Sequence, residues 1–438
     1  MKHTRRIVVL CLLAALLVTT ASLAFVSAQE PITIKLWSHN YPPREAIDQS
    51  IIDQFVADHP NITVEYTIGP GDDFLYIPQL LTALAGGEGP DLFNALALLI
   101  PDLIPSGAVA PVDYEALGFA SQDELVDLYI PGRLANFMDG DGVLYALPTE
   151  VGNYSLFING LIFEEAGLDP TEDYPRTWEQ LVEIAPLLTK RDDSGNITQR
   201  AFDFAYPLPD EFIGHWLSFG AMAYQLGGTF FNEDLTVATA NTEPWVQTLT
   251  YVRDWAAEFG GMQYTPSSIA FYEGKLGMVL SGAWYSDVIR ENNPDLLPYI
   301  YTAPFPRWED AVNDTGSYMY DYGLYVNSQS PPEVQQAAWA LAFELTSHPE
   351  RYMTEALLMQ PRKALVENEE VMNNTFAAMF IQDMVGNPFF PLVEGGAEVT
   401  PIFNRALERV LLQGMEPQES LDLANEELQA LLDRANAN

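Results

Sequence analysis

The sequence predicts an α/β protein that is long enough to fold as two lobes. Strand-like stretches alternate with helix-like stretches along the chain, an order that favours a right-handed, largely parallel sheet covered by helices. The chain has 438 residues, of which 48% are hydrophobic and 12% aromatic. A chain of this size and composition can bury more than one sizeable core, which is the basis for predicting two lobes.

The first 28 residues have the design of a secretory signal peptide. Basic residues precede an apolar run over 7–18, and small residues lead up to Ala28, immediately before Gln29. The run is shorter than the roughly 20 apolar residues that a membrane-spanning helix needs. We therefore expect cleavage after Ala28 and an exported chain, located in the periplasm or on the extracytoplasmic cell surface. An uncleaved N-terminal anchor is the alternative.

The only cysteine, Cys11, lies inside the apolar part of the predicted signal. It follows Val8, Val9 and Leu10, whereas a lipid-modified cysteine would follow small residues at the cleavage point. The mature chain is therefore expected to lack cysteine and to carry no lipid at that position. This excludes thiolate catalysis and thiolate metal sites.

The formal net charge is −41, and removal of a basic signal makes it more negative. Such a charge repels nucleic acids and anionic lipid surfaces, so neither is an expected partner. A heavily solvated acidic surface that keeps an exported protein soluble accounts for the charge. Adaptation to acidic or saline surroundings is a second interpretation, and the sequence does not separate the two.

The first elements are predicted to run strand, helix, strand. Residues 32–37 (ITIKLW) form the first strand. The following helix begins at Pro43 and ends before Pro60, because apolar residues recur there every four positions. These residues are Ile47, Ile51 and Phe55. Residues 62–68 (ITVEYTI) alternate as the second strand.

The next predicted elements are a helix over 72–85, which Pro78 interrupts or starts, and a third strand at Leu92 and Phe93. Glycines and a proline before Leu92 break the chain between these two elements. At the other end of the chain, Glu419 to Ala435 is predicted to be a helix that packs against the body. The residues on its apolar face are Leu421, Ala424, Leu428 and Leu431.

The segment from Asp139 to Tyr145 (DGDGVLY) allows two interpretations. Its alternating aspartates, with Glu150 at the twelfth position, fit a naive calcium-loop pattern. However, Val143, Tyr145 and Leu147 alternate as a strand, so a hairpin turn is the favoured prediction.

The most informative segment runs from Ala270 to Pro306. A helix is predicted to end at Gly274, and Leu276 to Leu280 then form a short buried strand. The small residues Ser281, Gly282 and Ala283 allow the backbone to turn and another molecule to approach closely. Trp284 follows at the carboxyl end of the strand, where open α/β sheets bind ligands. It is therefore predicted to be a ligand-facing platform, with a packed core tryptophan as the alternative.

Several blocks of sequence together carry a resemblance to a known family. They are ITIKLW at 32–37, GPDLF at 89–93, LFINGLIFEEAGL at 156–168, PRTW at 175–178 and SGAW at 281–284. The chain resembles the extracellular solute-binding proteins of ABC importers, in the family that includes maltose-binding protein. One departure is Ile158, where the family usually has a tyrosine before the asparagine.

The resemblance implies a type II periplasmic-binding-protein fold, with two discontinuous α/β lobes around a hinge and an interlobe cleft. After the signal at 1–28, residues 29–149 and 312–365 are expected to form one lobe. Residues 150–311 and 366–438, with the C-terminal helices, are expected to form the other. The implied function is to bind a sugar or oligosaccharide in the cleft and deliver it to a membrane permease. The protein is expected to be a monomer.

Aromatic residues at strand ends, beside small hydrogen-bonding groups, suit such a ligand. A sugar ring stacks its C–H faces on indole or phenol, while its hydroxyls need carboxylates and amides. Trp284 falls on the family's platform position, and Asp91 could instead orient the hinge. The other predicted ligand-binding residues are Trp37, His39, Asn40, Tyr41, Asp91, Asn94, Glu150, Asn153, Trp216, Tyr320, Asp321, Tyr322 and Arg362.

No catalytic residue, metal site or cofactor is predicted. The HExxH, GxSxG and GxxxxGK[ST] signatures are absent, and the five histidines lack metal-ligand spacing. Two alternative functions stay open. A secreted glycoside hydrolase would also combine aromatics with carboxylates, but it needs two carboxyl groups across the scissile bond. A binding protein for a peptide, a polyol or an anion would keep the fold and change the pocket.

Overall fold

The computed structural model describes residues 30–69, 73–99, 102–204, 212–260 and 267–437. The predicted signal peptide lies outside this range. The described backbone forms two five-stranded sheets with many helices, which confirms the predicted α/β class. No helix in this part of the chain is both long enough and apolar enough to cross a membrane.

The strands of the described residues are, in chain order, β1 (Ile32–Ser38), β2 (Ile62–Ile68), β3 (Leu92–Leu96), β4 (Ala146–Gly152), β5 (Ser155–Asn159), β6 (Lys190–Arg191), β7 (Ile197–Asp203), β8 (Leu276–Ser281), β9 (Ile300–Ala303) and β10 (Tyr320–Val326). The first eight α-helices of the described residues are α1 (Pro42–Asp58), α2 (Asp73–Ala85), α3 (Gln122–Val126), α4 (Gly160–Glu165), α5 (Trp178–Leu188), α6 (Phe212–Gln225), α7 (Glu243–Phe259) and α8 (Ser267–Tyr272). The next eight are α9 (Tyr285–Asn292), α10 (Pro332–Leu345), α11 (Pro349–Ala356), α12 (Lys363–Glu367), α13 (Glu369–Asn373), α14 (Thr375–Gly386), α15 (Val399–Leu411) and α16 (Pro417–Ala435).

The first sheet has the strand order β2-β1-β3-β10-β4. Strand β1 pairs in parallel with β2 and β3, and β10 runs antiparallel to both of its neighbours. The carboxyl ends of β1, β3 and β4 therefore meet the amino end of β10 at one edge of the sheet. Residues that follow or end these strands are brought together there.

The second sheet has the order β6-β7-β8-β5-β9. Strands β7 and β8 are parallel, whereas β5 runs antiparallel to β8 and β9. The expectation of a largely parallel sheet is therefore wrong, since three of the described strand pairs in the two sheets are parallel and five are antiparallel. Ser155 pairs with Ser281, so the start of β5 and the end of β8 lie side by side. The turn that carries Trp284 is thereby placed beside the segment that enters β5.

The chain passes between the sheets at one region. Strand β4 ends in the first sheet at Gly152, and β5 begins in the second sheet at Ser155, so two residues make the crossing. The chain returns between β9 and β10. Both crossings lie at the sheet edges described above, which places a cleft between the sheets there. The predicted lobe boundaries themselves stay a prediction.

Most local predictions agree with the structure. Strand β2 has the predicted bounds, β1 extends one residue further, and α1 buries Ile47, Ile51 and Phe55. Helix α2 is continuous, with Pro78 inside it. In α5, the Thr177 hydroxyl accepts a hydrogen bond from the backbone N–H of Gln180 at 3.1 Å.

Two further predictions concern a turn and the C-terminal helix. The Asp139 carboxylate accepts hydrogen bonds from the backbone N–H groups of Asp141 and Val143, and Met138 bridges Leu144 across the turn. The hairpin turn is thus confirmed. In α16 the predicted apolar face is fully buried against the body of the protein, as expected.

Candidate ligand-binding cleft

A cavity of about 170 Å³ lies between the two sheets, at the region where the chain crosses from one to the other. It is walled mainly by aromatic side chains. The described residues that line it are His39, Asn40, Tyr41, Glu150, Tyr154, Trp284, Tyr320, Tyr322 and Leu358. Seven of these nine are among the predicted ligand-binding residues.

Strand geometry explains why these residues meet. Residues 39–41 directly follow β1, and Glu150 lies near the end of β4. Tyr320 and Tyr322 begin β10 and share one face of the sheet, because alternate residues of a strand point to the same side. From the second sheet, Trp284 follows β8 and Tyr154 lies in the crossing before β5. Each lobe therefore contributes part of the wall.

Trp284 is partly buried, whereas Trp178, Trp245 and Trp339 are fully buried. Its indole folds back over Gly282, where any Cβ atom would collide with the ring. The absent side chain thus makes room for the indole itself. The indole also forms a hydrogen bond with the Tyr320 hydroxyl, linking the two lobes across the cavity. Burial, followed by the nearby charge of Glu150, raises the pKa of Tyr320 well above its ordinary value, so this phenol stays neutral.

The tyrosines form an aromatic cluster around the cavity. The rings of Tyr154 and Tyr320 meet edge to face with centroids 6.5 Å apart, and Tyr320 meets Tyr322 in the same way at 6.1 Å. The His39 ring packs on Tyr322 at 4.3 Å. This arrangement fixes the orientation of several flat apolar surfaces before any ligand enters.

His39 is held as a neutral ring. The Thr149 hydroxyl donates to the Tyr322 carbonyl and accepts from Asn94 Nδ2 at 2.7 Å, so Asn94 Oδ1 faces His39 Nδ1 at 2.9 Å. Nδ1 therefore carries the proton, and Nε2 accepts from the Arg44 guanidinium at 3.1 Å. Burial and then the Arg44 charge lower the pKa of His39 well below its usual range.

A buried polar network lies behind His39. The Arg44 guanidinium also donates to the His39 carbonyl and forms an ion pair with Asp48, whose carboxylate lies 3.6 Å away. The Tyr66 and Tyr352 hydroxyls donate to the two oxygens of Asp48. Arg44 is 1% exposed and does not line the cavity. Its charge therefore holds His39 in place from behind the cavity wall and does not contact a ligand.

Tyr41 connects the two sides of the cleft. Its hydroxyl lies 3.0 Å from an oxygen of Asp287 on α9 and 2.7 Å from the Ala356 carbonyl at the end of α11. Burial and then the Glu150 charge raise the pKa of Tyr41, so the hydroxyl keeps its proton. That single proton is donated to one acceptor at a time, and either hydrogen bond anchors the ring in the cavity wall.

Of the predicted residues whose side chains the structure describes, six do not line the cavity. Trp37 packs against the core of the first sheet, and Asn94 lies behind His39. The Asp91 carboxylate accepts from the Lys35 N–H at 2.9 Å and the Ser330 hydroxyl at 2.6 Å, which ties loops together. Asn153 is fully buried in the crossing and donates to the Phe380 carbonyl.

The other two are turned away from the cleft. Asp321 lies between Tyr320 and Tyr322 on β10 and so points to the opposite face, where it accepts from the Asn136 side chain. Arg362 donates to the Thr346 carbonyl at 2.8 Å and stacks over the Tyr129 ring. Trp216 falls on α6, but its side chain lies outside the described residues.

Tyr154 and Leu358 line the cavity without having been predicted. Tyr154 carried a usable signal, because it is an aromatic residue next to Asn153 in the segment that leads from β4 to β5. No sequence signal points to Leu358. An isolated leucine after a helix gives no sign of ligand contact, and only the tertiary packing of the segment after α11 brings it to the cavity.

Residues 41–351 match the family model of bacterial extracellular solute-binding proteins. This span exceeds half of the chain, so the protein belongs to that family. An arabinooligosaccharide-binding protein of Halalkalibacterium halodurans is 28% identical over 250 residues, which are 53% of this chain and 49% of that protein.

Solved structures share the fold at low identity. An ABC transporter solute-binding protein of Thermotoga lettingae, bound with α-D-tagatose, is 21% identical with a TM-score of 0.78, covering 91% of this chain and 99% of that one. A maltose-bound protein of T. maritima is 18% identical with a TM-score of 0.76, covering 91% of this chain and 100% of that one. The predicted two-lobed fold is confirmed by these similarities.

Gly282→Ala is expected to weaken ligand binding about fivefold or more. A methyl group at this position displaces the Trp284 indole, and relieving such overpacking costs about 1–3 kcal/mol. Calorimetry with a bound ligand checks the result. Gly140→Ala is the matched control, since nothing lies near its Cβ position. Equal affinities for the two variants would show that the indole does not need this space.

Asp321→Asn is expected to change how stability depends on pH. Burial raises the pKa of the Asp321 carboxyl to about 7, against the opposing effects of the Asn136 hydrogen bond and the Arg133 charge. Because the folded-state pKa exceeds the unfolded value of about 3.9, the folded protein binds the extra proton between these values. The contribution of Asp321 to the free energy of unfolding is fully present below about pH 4 and is lost as pH rises through the folded pKa.

Asp321→Asn has no titrating carboxyl at this position, so its free energy of unfolding does not fall with rising pH for this reason. Its melting temperature relative to the wild type should therefore rise between about pH 4 and pH 8, as measured by calorimetric scans at matched ionic strength. A difference that stays constant over this range would contradict the raised pKa.

Proposed function

We propose that this protein binds a neutral sugar in the interlobe cleft and delivers it to the permease of an ABC importer. The observation that carries the proposal is the lining of the cavity, where a tryptophan and four tyrosines surround a single carboxylate, Glu150. Flat aromatic faces stack on the C–H faces of a sugar ring, and a carboxylate accepts hydrogen bonds from its hydroxyls. The similar proteins named above bind arabinooligosaccharide, tagatose and maltose, which supports a carbohydrate.

A hydrolase fits this lining poorly. Glycoside hydrolysis requires two carboxyl groups that flank the scissile bond, about 5–10 Å apart. Glu150 is the single carboxylate among the described lining residues. The carboxylate therefore acts as a hydrogen-bond acceptor, and no bond of the ligand is broken.

An anionic ligand fits equally poorly. Phosphates and carboxylates are held by arginine or lysine in most binding sites. Neither residue type is among the described lining residues, and the nearby Arg44 is engaged by His39 and Asp48. A neutral hydroxyl-rich ligand is the better match.

The lobes are proposed to close on the ligand. The cavity is built from both sheets, so a ligand that contacts both walls stabilises the closed arrangement over an open one. The permease can then distinguish a loaded, closed protein from an empty one. The protein is proposed to act as an exported monomer after cleavage of residues 1–28.

A thermal-shift screen of the mature chain tests the proposal. The panel holds pentoses, hexoses and their oligomers, with dipeptides and glycerol phosphate as non-sugar arms. A ligand at about 100 times its Kd adds about 2.7 kcal/mol to the free energy of unfolding, so a bound sugar raises the melting temperature by several degrees. A shift with only the peptide or the phosphate would overturn the proposal.

A further inference from the structure

The size of the cavity restricts which carbohydrate it can take. An engineered protein cavity of about 150 Å³ holds one benzene ring. The part of the cleft that the described residues wall in, at about 170 Å³, has room for one six-membered ring. We infer that the site selects monosaccharides over oligosaccharides, an inference that rests on the proposed function.

Tyr41 and Leu358 form the wall that sets this limit. The Tyr41 hydroxyl is held by Asp287 on one side and by the Ala356 carbonyl on the other, at 3.0 and 2.7 Å. Leu358 lines the cavity two residues after Ala356 and is 4% exposed. A tyrosine whose hydroxyl always has an acceptor within reach and a packed leucine therefore form a firm part of the wall.

The backbone supports the same wall. Leu357, between Ala356 and Leu358, has a φ of 55°, in the left-handed region that side-chain-bearing residues rarely adopt. Just beyond it, the Met359 carbonyl accepts a hydrogen bond from the N–H of Val151 on β4 at 2.8 Å. The segment from Ala356 to Met359 is thus fastened to the first sheet, and strained backbone of this kind is typical of ligand-binding sites.

A second sugar ring has two possible positions, and both cost affinity. It can displace Tyr41 from Asp287, which breaks a contact between the two sides of the cleft. Otherwise it must lie outside the lined cavity, where it gains none of the aromatic contact with Trp284 or Tyr154. Among the described residues that line the cavity, additional rings of a longer chain find no further aromatic partner, and a ring that displaces Tyr41 loses part of the closing contact.

Calorimetry with matched sugar series tests the inference. The probes are D-glucose, maltose and maltotriose; D-xylose and xylobiose; L-arabinose and arabinobiose; and D-tagatose. In the series that binds, the monosaccharide is expected to bind at least tenfold more tightly than its dimer or trimer. Tighter binding of a dimer or trimer would overturn single-ring selection and leave the proposed function intact. Binding of no carbohydrate at all would overturn both.

Variants of the wall supply the second test. Tyr41→Ala removes the blocking ring, so the preference for monosaccharide over disaccharide should fall at least tenfold. Leu358→Ala enlarges the same end and should reduce the preference in the same direction, which keeps the test open if Tyr41→Ala does not fold. Tyr299→Ala is the control, since this tyrosine is 40% exposed and does not line the cavity. An unchanged preference in a folded wall variant would overturn the inference.

Discussion

Replacing Trp284 with alanine is expected to lower the affinity for the sugar at least tenfold. The change removes a large apolar face from the cavity wall, and burying a side chain of this kind contributes about 1.5–3 kcal/mol. Stacking adds about 1 kcal/mol beyond burial, and each 1.4 kcal/mol corresponds to a factor of ten in Kd. Calorimetric titration of the variant with the sugar that binds the wild type gives the ratio directly.

Trp37→Ala is the matched control for this experiment. Both tryptophans are partly buried, but Trp37 packs against the core of the first sheet and does not line the cavity. Its replacement should leave the Kd unchanged in protein whose circular dichroism is native. Equal affinity losses in the two variants would show that the effect of Trp284→Ala comes from altered packing and not from lost stacking.

Asp48→Ala is expected to lower the free energy of unfolding by about 3–5 kcal/mol, because removing one partner of a buried ion pair leaves the other charge uncompensated. The uncompensated charge is that of Arg44, and the hydroxyls of Tyr66 and Tyr352 lose their acceptor. Denaturant titration of the two proteins measures the difference.

Asp53→Ala controls for the loss of a carboxylate from the same helix. Asp53 is an exposed residue of α1 whose side chain only accepts from Gln49, so its replacement should change stability by less than about 0.5 kcal/mol. Because the Asp48 network also holds Arg44 against His39, sugar affinity should fall in Asp48→Ala as well. A loss of stability no larger than that of the control would mean that the network contributes little.

Much of the fold was predictable because short-range patterns determine it. Alternation of apolar residues gave β2 its correct bounds, and four-residue spacing gave α1 its buried face. The proline inside α2 was the ambiguous case, since local rules allow a proline either to begin a helix or to interrupt it. The structure continues the helix through Pro78.

The cavity-lining residues at strand ends could be predicted from the sequence, and the other candidate residues could be predicted less well. Trp284, His39 and Tyr320 follow from their positions at the ends of β8 and β1 and the start of β10. The period of two along a strand also indicates that Asp321 cannot share a face with its tyrosine neighbours, so this prediction could have been corrected from sequence. Asn94 and Arg362 could not, because each is engaged by residues distant in sequence.

At Gly282 the structure gives the predicted close approach a different partner. The small residues before Trp284 indicated a place where another molecule could approach the backbone. In the structure the approaching group is the Trp284 indole itself. The sequence indicates that a side chain must be absent at this position, and the structure shows which group occupies the space.

A crystal structure of the protein with the sugar that gives the largest thermal shift tests the proposed function most directly. The proposed function predicts a sugar ring stacked on the Trp284 indole, with its hydroxyls within hydrogen-bond distance of Glu150. A sugar bound elsewhere on the protein, with the cavity between the two sheets empty, would contradict it.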